Sequence, residues 1–236
     1  VPGGVAVLAT GVLFMILVAR GVIVESEADR RPDAPVSRGD ATRALTIMFF
    51  SILCTSLIYQ ATQPAVPKLF SERVMGTEGG LLGVSALVAG VYALSGLLQF
   101  AYGRISDTFS PNRVYTIGFL IQAPILLLAG VLDGAPLVAV AFLMLFVNAG
   151  STTAENMLFT RYTPSRWRSL AFGLKFIVAL GIATIGVRIE GWLYDATGGF
   201  RTLFTLLAGI ALAGVVISLL IPAAKETPKP VPQPAE

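Results

Sequence analysis

Long apolar runs separated by short polar stretches dominate this chain. A helix needs about 20 apolar residues to cross the roughly 30 Å hydrocarbon core of a bilayer. Runs of that length predict seven membrane-spanning helices, at about 5–24, 44–70, 81–103, 114–132, 136–160, 168–190 and 200–221. The pattern therefore predicts an all-α membrane protein. Ser110-Pro111 and Thr163-Pro164 fit the start of the fourth and sixth spans as capping residue and first-turn proline.

Polar residues are distributed unevenly among the spans. The second, third, fifth and sixth spans carry amides and hydroxyls, whereas the other three are nearly apolar. Because polar groups are costly in lipid, we expect the four polar spans to surround a wet interior and the other three to face lipid. The candidate substrate-lining residues are Gln60, Gln63, Tyr92, Gln99, Asn148 and Thr152. Hydrogen bonding between helices, at ~0.6 kcal/mol on average, remains the alternative for each of them.

Proline and glycine predict two local features. Pro64 and Pro67 should kink the second span or unwind its outer end. Three glycines of the third span, Gly83, Gly90 and Gly96, should permit close helix contact.

Composition narrows the possible functions. Hydrophobic residues make up 55% of the chain and charged residues 13%, against about 25% in soluble domains. The single cysteine, Cys54, excludes an intrachain disulfide, and the absence of histidine excludes histidine-based metal sites and catalytic triads. We therefore expect no enzymatic activity, no metal and no cofactor. The net charge of +3 arises from basic residues in loops, so membrane topology explains it better than nucleic-acid binding.

Loop charges predict the orientation. Thirteen of the 17 Lys and Arg residues lie on one side of the predicted spans, and Lys68, Arg73, Arg188 and Arg201 lie on the other. The excess of positive charge indicates the cytoplasmic side, so the chain should start outside and end in the cytoplasm. The expected parts are a membrane helix at 1–24, a cytoplasmic linker at 25–43, a six-helix bundle at 44–221 and a disordered tail at 222–236.

Three stretches resemble conserved segments of the major facilitator superfamily (MFS). Gly103 to Arg113 resembles the signature loop of that family, in which Gly103 permits close helix approach and Asp107 accepts hydrogen bonds or pairs with arginines. It is degenerate, as in the family's second-half copy. Residues 155–168 are similar to the cytoplasmic link between the tenth and eleventh family helices, and 191–201 to the outer link between the eleventh and twelfth.

The resemblance implies an MFS-type helical bundle and a transport function. The seven spans would be family helices six to twelve, that is, one helix plus a six-helix half made of 3+3 inverted repeats. The missing N-terminal half would be the partner, and this chain alone should not transport. We expect a secondary active transporter in the lipid bilayer of a bacterial inner membrane, moving a small-molecule substrate by alternating access, with H+ as a candidate coupling ion. The alternative is a seven-span receptor with its start outside.

The resemblance also implies a cytoplasmic gate. Its candidate residues are Gly103, Arg104, Asp107, Arg113, Glu155, Arg161, Arg168 and Lys175. Glu155 and Lys175 should lie at similar depth, each about 10 Å inside the end of its helix. Glu155 could latch the cytoplasmic face by pairing with Arg104, Arg168 or Lys175, or it could carry a proton. A Glu155→Gln variant would distinguish them, because loss of a latch alters conformational bias and preserves coupling.

Overall fold

The structure is a computed structural model that describes residues 2–21, 38–75 and 80–222. The helices of these ranges are α1 (Pro2–Ala19), α2 (Arg38–Phe70), α3 (Gly80–Thr108), α4 (Pro111–Ala129), α5 (Gly134–Tyr162), α6 (Arg168–Thr197) and α7 (Arg201–Leu219). A π-helical turn, Ser71–Met75, follows α2, and a 3-10 turn, Ser165–Trp167, precedes α6. Within the described ranges, the six helices α2 to α7 are long and apolar enough to cross a membrane, and α1 holds a shorter apolar stretch. The predicted all-α membrane fold is confirmed.

The chain divides into two compact units, Val1–Ala34 and Pro35–Glu236. The first unit contains α1, an apolar helix of 18 residues, and the second contains α2 to α7. Residues 25–37 of the predicted linker lie outside the described residues, and the remainder of that linker belongs to α2. All of the predicted tail except Pro222 also lies outside them.

Helices α2 and α5 supply the largest shares of the bundle core, and α4 and α7 each bury one face. α4 packs against α5 and α7, while α2 packs against α5, α6 and α7. α3 and α6 flank this group, against α5 and α2 respectively, and expose most of their length. The expectation that 114–132 and 200–221 are lipid-facing supports holds for only one face of each helix. Apolarity alone could not distinguish the two positions, because lipid tails are as apolar as a leucine-rich core.

The predicted close helix contacts are not made by described residues at three of the glycines of α3. A Cβ placed on Gly90, Gly96 or Gly103 would meet nothing within 4 Å in the described structure. The close approaches lie elsewhere in the bundle. A Cβ on Gly150 would lie 2.1 Å from the Tyr102 ring, and one on Gly214 would lie 2.5 Å from the Phe119 ring. Glycine is required at these points because an aromatic ring lies directly on the backbone.

The prolines of α2 do not unwind it. The α-helix runs through Pro64 and Pro67 to Phe70, and the π-helical turn begins only afterwards. Both prolines are exposed, so their rings do not disturb the core. Membrane helices tolerate proline where neighbouring groups satisfy the freed carbonyls. Of the two predicted alternatives, the unwound outer end is not found, and the kink stays a prediction.

The two ends of the bundle differ in charge. The α3–α4 and α5–α6 connections lie at one end, here called the basic end, which carries Arg104, Arg113, Arg161 and Arg168. At the opposite end, Arg73 donates a hydrogen bond of 3.1 Å to the carbonyl of Gly130 and lies 3.7 Å from Asp133.

A second set of contacts at the opposite end joins α2 and its π-helical turn to α6. The Lys68 Nζ lies 3.1 Å from the centroid of the Tyr194 ring, and the Tyr194 hydroxyl donates a hydrogen bond of 2.5 Å to Glu72. Lys68 and Glu72 are exposed, and Tyr194 is half-buried.

Candidate solute cavity

A cavity of about 470 Å³ lies between α2, α3, α5 and α6. Each of these helices contributes polar groups to its wall, and α5 and α6 add apolar ones. The lining residues are Thr55, Ser56, Tyr59 and Gln60 of α2, Gln99 of α3, Ala149, Thr152, Thr153, Glu155 and Asn156 of α5, and Lys175, Phe176, Ala179 and Leu180 of α6. The volume and the mixed lining are typical of a site for a small organic molecule.

The four lining helices are those that the sequence predicted to be polar, and α4 and α7 contribute nothing to the wall. Of the predicted substrate-lining residues, Gln60, Gln99 and Thr152 line this cavity. Gln99 is exposed, while the other two are half-buried.

The other three predicted lining residues lie elsewhere. The Tyr92 hydroxyl donates a hydrogen bond to Gln63 Oε1, so these two residues link α3 to α2. Asn148 is buried one helical turn from Thr152, whose hydroxyl donates to the Asn148 carbonyl at 3.1 Å. The Asn148 amide nitrogen has no hydrogen-bond partner among the described residues.

A buried ion pair forms part of the cavity wall. Lys175 Nζ lies 2.6 Å from Glu155 Oε1, and the two side chains are only 5% and 3% exposed. Lys175 also donates a hydrogen bond to Asn156 Oδ1. Charges removed from water are costly unless they are paired and hydrogen-bonded. The pair therefore leaves this part of the wall with no net charge.

The second oxygen of Glu155 is held by a tyrosine that the sequence did not single out. The hydroxyl of Tyr115 in α4 donates a hydrogen bond of 2.8 Å to Glu155 Oε2. Ser51 Oγ donates to the same hydroxyl at 2.9 Å, and Thr55 Oγ1 lies 2.9 Å from it. Thr55 Oγ1 also lies within hydrogen-bond distance of the Ser51 carbonyl, at 3.2 Å, so its single proton is available to either acceptor. One carboxylate thus connects α2, α4, α5 and α6.

Side chains close the seam between α5 and α6 nearer the basic end. The rings of Phe159 and Phe172 meet edge to face, with centroids 5.1 Å apart. The Arg168 guanidinium donates a hydrogen bond of 3.3 Å to the Thr160 carbonyl. Together with the Glu155 ion pair, these contacts join α5 to α6 on the side of the cavity nearer the basic end.

The remaining predicted gate residues are less buried than Glu155 and Lys175 or lie outside the described side chains. Arg104 and Arg113 are exposed, and Arg161 is half-buried. Asp107 belongs to α3, but its side chain lies outside the described part of the structure. Of the predicted partners of Glu155, the described contacts pair it with Lys175.

Sequence reasoning missed Ser51, Thr55 and Tyr115. A weak signal was present, because Ser51 and Thr55 are four residues apart and so share one helix face. Tyr115 lies near the start of α4, where tyrosine is usually an interface residue. Only the packing of α4 against α5 brings its hydroxyl to Glu155.

Six helices able to cross a membrane, with a partly polar cavity between them and a buried ion pair in its wall, are typical of a multi-pass membrane protein. The chain belongs to the Major Facilitator Superfamily, whose sequence profile matches residues 48–236. It is 26% identical over 187 residues to the uncharacterized MFS-type transporter Rv1250 of Mycobacterium tuberculosis, an alignment that covers 78% of this chain. The chain spans only 31% of that relative's length.

Proposed function

We propose that the bundle of α2 to α7 is one half of a secondary active transporter that moves a small organic solute by alternating access. The observation that carries the proposal is the cavity of about 470 Å³, lined by four polar helices and bordered by the Glu155–Lys175 pair. Family membership and the transporter name of the mycobacterial relative support it.

The lining favours an uncharged amphipathic solute. Glu155 and Lys175 neutralise each other, so a charged solute would have to disrupt a buried ion pair in order to bind. Gln60, Gln99 and Thr152 can exchange hydrogen bonds with polar groups of a solute, and Phe176 and Leu180 can contact its apolar part.

The wall of the cavity needs a partner bundle. Gln99 is exposed, and the neighbouring side chains of Leu97, Ile177 and Leu180 are 67%, 69% and 64% exposed. A polar cavity open to lipid would be unfavourable. A second six-helix bundle facing α3 and α6 would complete the site, in agreement with transport by rocking of two halves.

We assign the Glu155–Lys175 pair to a latch at the basic end and not to proton transport. Both oxygens of the Glu155 carboxylate already have a partner, Lys175 on one and Tyr115 on the other. The ion pair joins α6 to α5, whereas the backbone of α6 packs mainly along α2. Opening this seam would connect the cavity to the basic end. The excess of Lys and Arg at this end supports a cytoplasmic location for it in the proposed bacterial host.

Cysteine labelling tests the proposed cavity without a known solute. In a Cys54→Ala background, Gln99→Cys and Thr152→Cys should react with a membrane-impermeant maleimide at least about tenfold faster than Leu120→Cys, because thiols need water to ionise. Leu120 is the matched control, since it is 53% exposed on the apolar face of α4. Equal rates at the three positions would contradict a water-filled cavity.

A further inference from the structure

The Tyr115 hydroxyl lies at the centre of a hydrogen-bond network. Among the described residues, the one carboxylate that it contacts is Glu155. The side chain is 0% exposed, and its ring meets Phe119 edge to face at 5.0 Å. Its hydroxyl donates to Glu155 and accepts from Ser51, and Thr55 Oγ1 lies 2.9 Å from it. The single phenol proton is therefore directed to the Glu155 carboxylate.

The two partners of Glu155 belong to different parts of the bundle. Tyr115 is in α4, which packs along α5, the helix of Glu155. Lys175 is in α6, which packs along α2 and reaches Glu155 through its side chain. A displacement of the basic end of α6 would therefore remove Lys175 from the carboxylate and leave Tyr115 in place.

We propose that Tyr115 is a positioning residue for the latch. Its hydroxyl retains and stabilises the Glu155 carboxylate when Lys175 moves away, and so sets the balance between the closed and open latch. This inference rests on the proposed function, in which the seam between α5 and α6 opens during transport. It gives α4, which does not line the cavity, a direct part in gating.

The direction in which Tyr115→Phe shifts the latch follows from the number of partners that Glu155 has with the latch closed and with the latch open. With the latch closed, a Tyr115→Phe variant still has Lys175 on Glu155. With the latch open, the same variant leaves a buried carboxylate without its main donor. A hydrogen bond to a charged group accounts for about ten- to a hundredfold in an equilibrium constant. Because the loss is greater in the open state, Tyr115→Phe should raise the ratio of closed to open by about tenfold.

Spin-label distances test this proposal in the purified protein in lipid nanodiscs at constant pH. Labels on Thr108→Cys and Ser169→Cys, both exposed positions at the basic end, report the separation of α3 and α6 in a Cys54→Ala background. Tyr115→Phe should increase the short-distance population, and Ser51→Ala should do so more weakly, since it removes one donor to the Tyr115 hydroxyl. Tyr102→Phe removes another buried tyrosine hydroxyl, on α3, and should leave the distribution unchanged.

The Glu155→Gln background distinguishes positioning from packing. If Tyr115 acts through the carboxylate, Tyr115→Phe should have no effect once Glu155 is Gln. An equal effect in both backgrounds, or no effect in either, would overturn the proposal. If Glu155→Gln and Lys175→Met both leave the distances unchanged, the latch itself is wrong, and with it the gating part of the proposed function. Retention of the ring in Tyr115→Phe preserves the contact with Phe119.

Discussion

Glu155 and Lys175 are the residues whose burial most constrains this chain. Each side chain is almost completely removed from solvent, and each has a charged partner as well as a neutral one. In a low-dielectric interior, such a pair contributes little net stability compared with apolar residues, but an unpaired member is strongly destabilising. The two charges therefore have to neutralise each other in this structure, and the proposed transport cycle requires the pair to break and re-form.

Removal of one partner should cost more than removal of both. We expect Glu155→Gln and Lys175→Met each to lower the free energy of unfolding by about 3–5 kcal/mol, because each leaves an uncompensated buried charge. The double variant should recover much of this loss. Thermal unfolding in detergent measures the three variants, with Arg113→Gln at an exposed position as the control. Additive losses in the double variant would show that the two charges are not coupled.

At the same scale, the sequence predicted residue types better than their partners. Gln60, Gln99 and Thr152 could be placed in a cavity because amides and hydroxyls in lipid must face something polar. The hydrogen bond between Tyr92 and Gln63, and the role of Tyr115, depend on which helices are neighbours. No pattern within a single helix contains that information.

At the scale of the helices, the hydrophobic pattern predicted the spans but not their packing. The fourth predicted span, 114–132, differs from α4 by about a turn at either end, whereas α6 continues seven residues beyond the predicted 168–190. α6 ends only where Gly198 adopts a left-handed conformation with φ of +68°. Glycine frequency pointed to α3 as a contact helix, yet the observed close contacts include Gly150 of α5 and Gly214 of α7. Contact requires a partner ring opposite the glycine, which the sequence of one helix does not show.

The contact of α3 with α5 can be tested at its closest point. Gly150→Ala places a methyl group 2.1 Å from the Tyr102 ring, so either the ring or the backbone must move. We expect a loss of about 1–3 kcal/mol in the free energy of unfolding. Gly181→Ala in α6 is the matched control, because a Cβ there meets nothing within 4 Å, and alanine favours the helix. Equal stability of the two variants, measured by thermal unfolding, would contradict the observed packing of Tyr102.

For the whole molecule, the contacts at the two ends of the bundle differ in burial, and so in the cost of losing one partner. At the basic end, the Glu155–Lys175 pair is buried and joins α5 to α6. At the opposite end, the Tyr194–Glu72 hydrogen bond and the Arg73–Asp133 pair are solvent-exposed or partly so. An exposed pair contributes at most about 1 kcal/mol, and loss of one partner of a buried pair costs about 3–5 kcal/mol. We therefore expect the contacts at the basic end to control the side of the membrane from which a solute can enter the cavity.

This difference predicts an asymmetric response of the cavity to mutation. Glu155→Gln should raise the rate at which Thr152→Cys reacts with an impermeant maleimide added at the basic end by about tenfold or more, because the buried pair is lost. Tyr194→Phe and Asp133→Asn, which remove exposed contacts at the opposite end, should change labelling from that end by less than about fivefold. Right-side-out and inverted membrane vesicles supply the two directions of labelling. A response to Tyr194→Phe as large as that to Glu155→Gln would show that the exposed contacts control access equally, and that burial of the ion pair does not set the direction of opening.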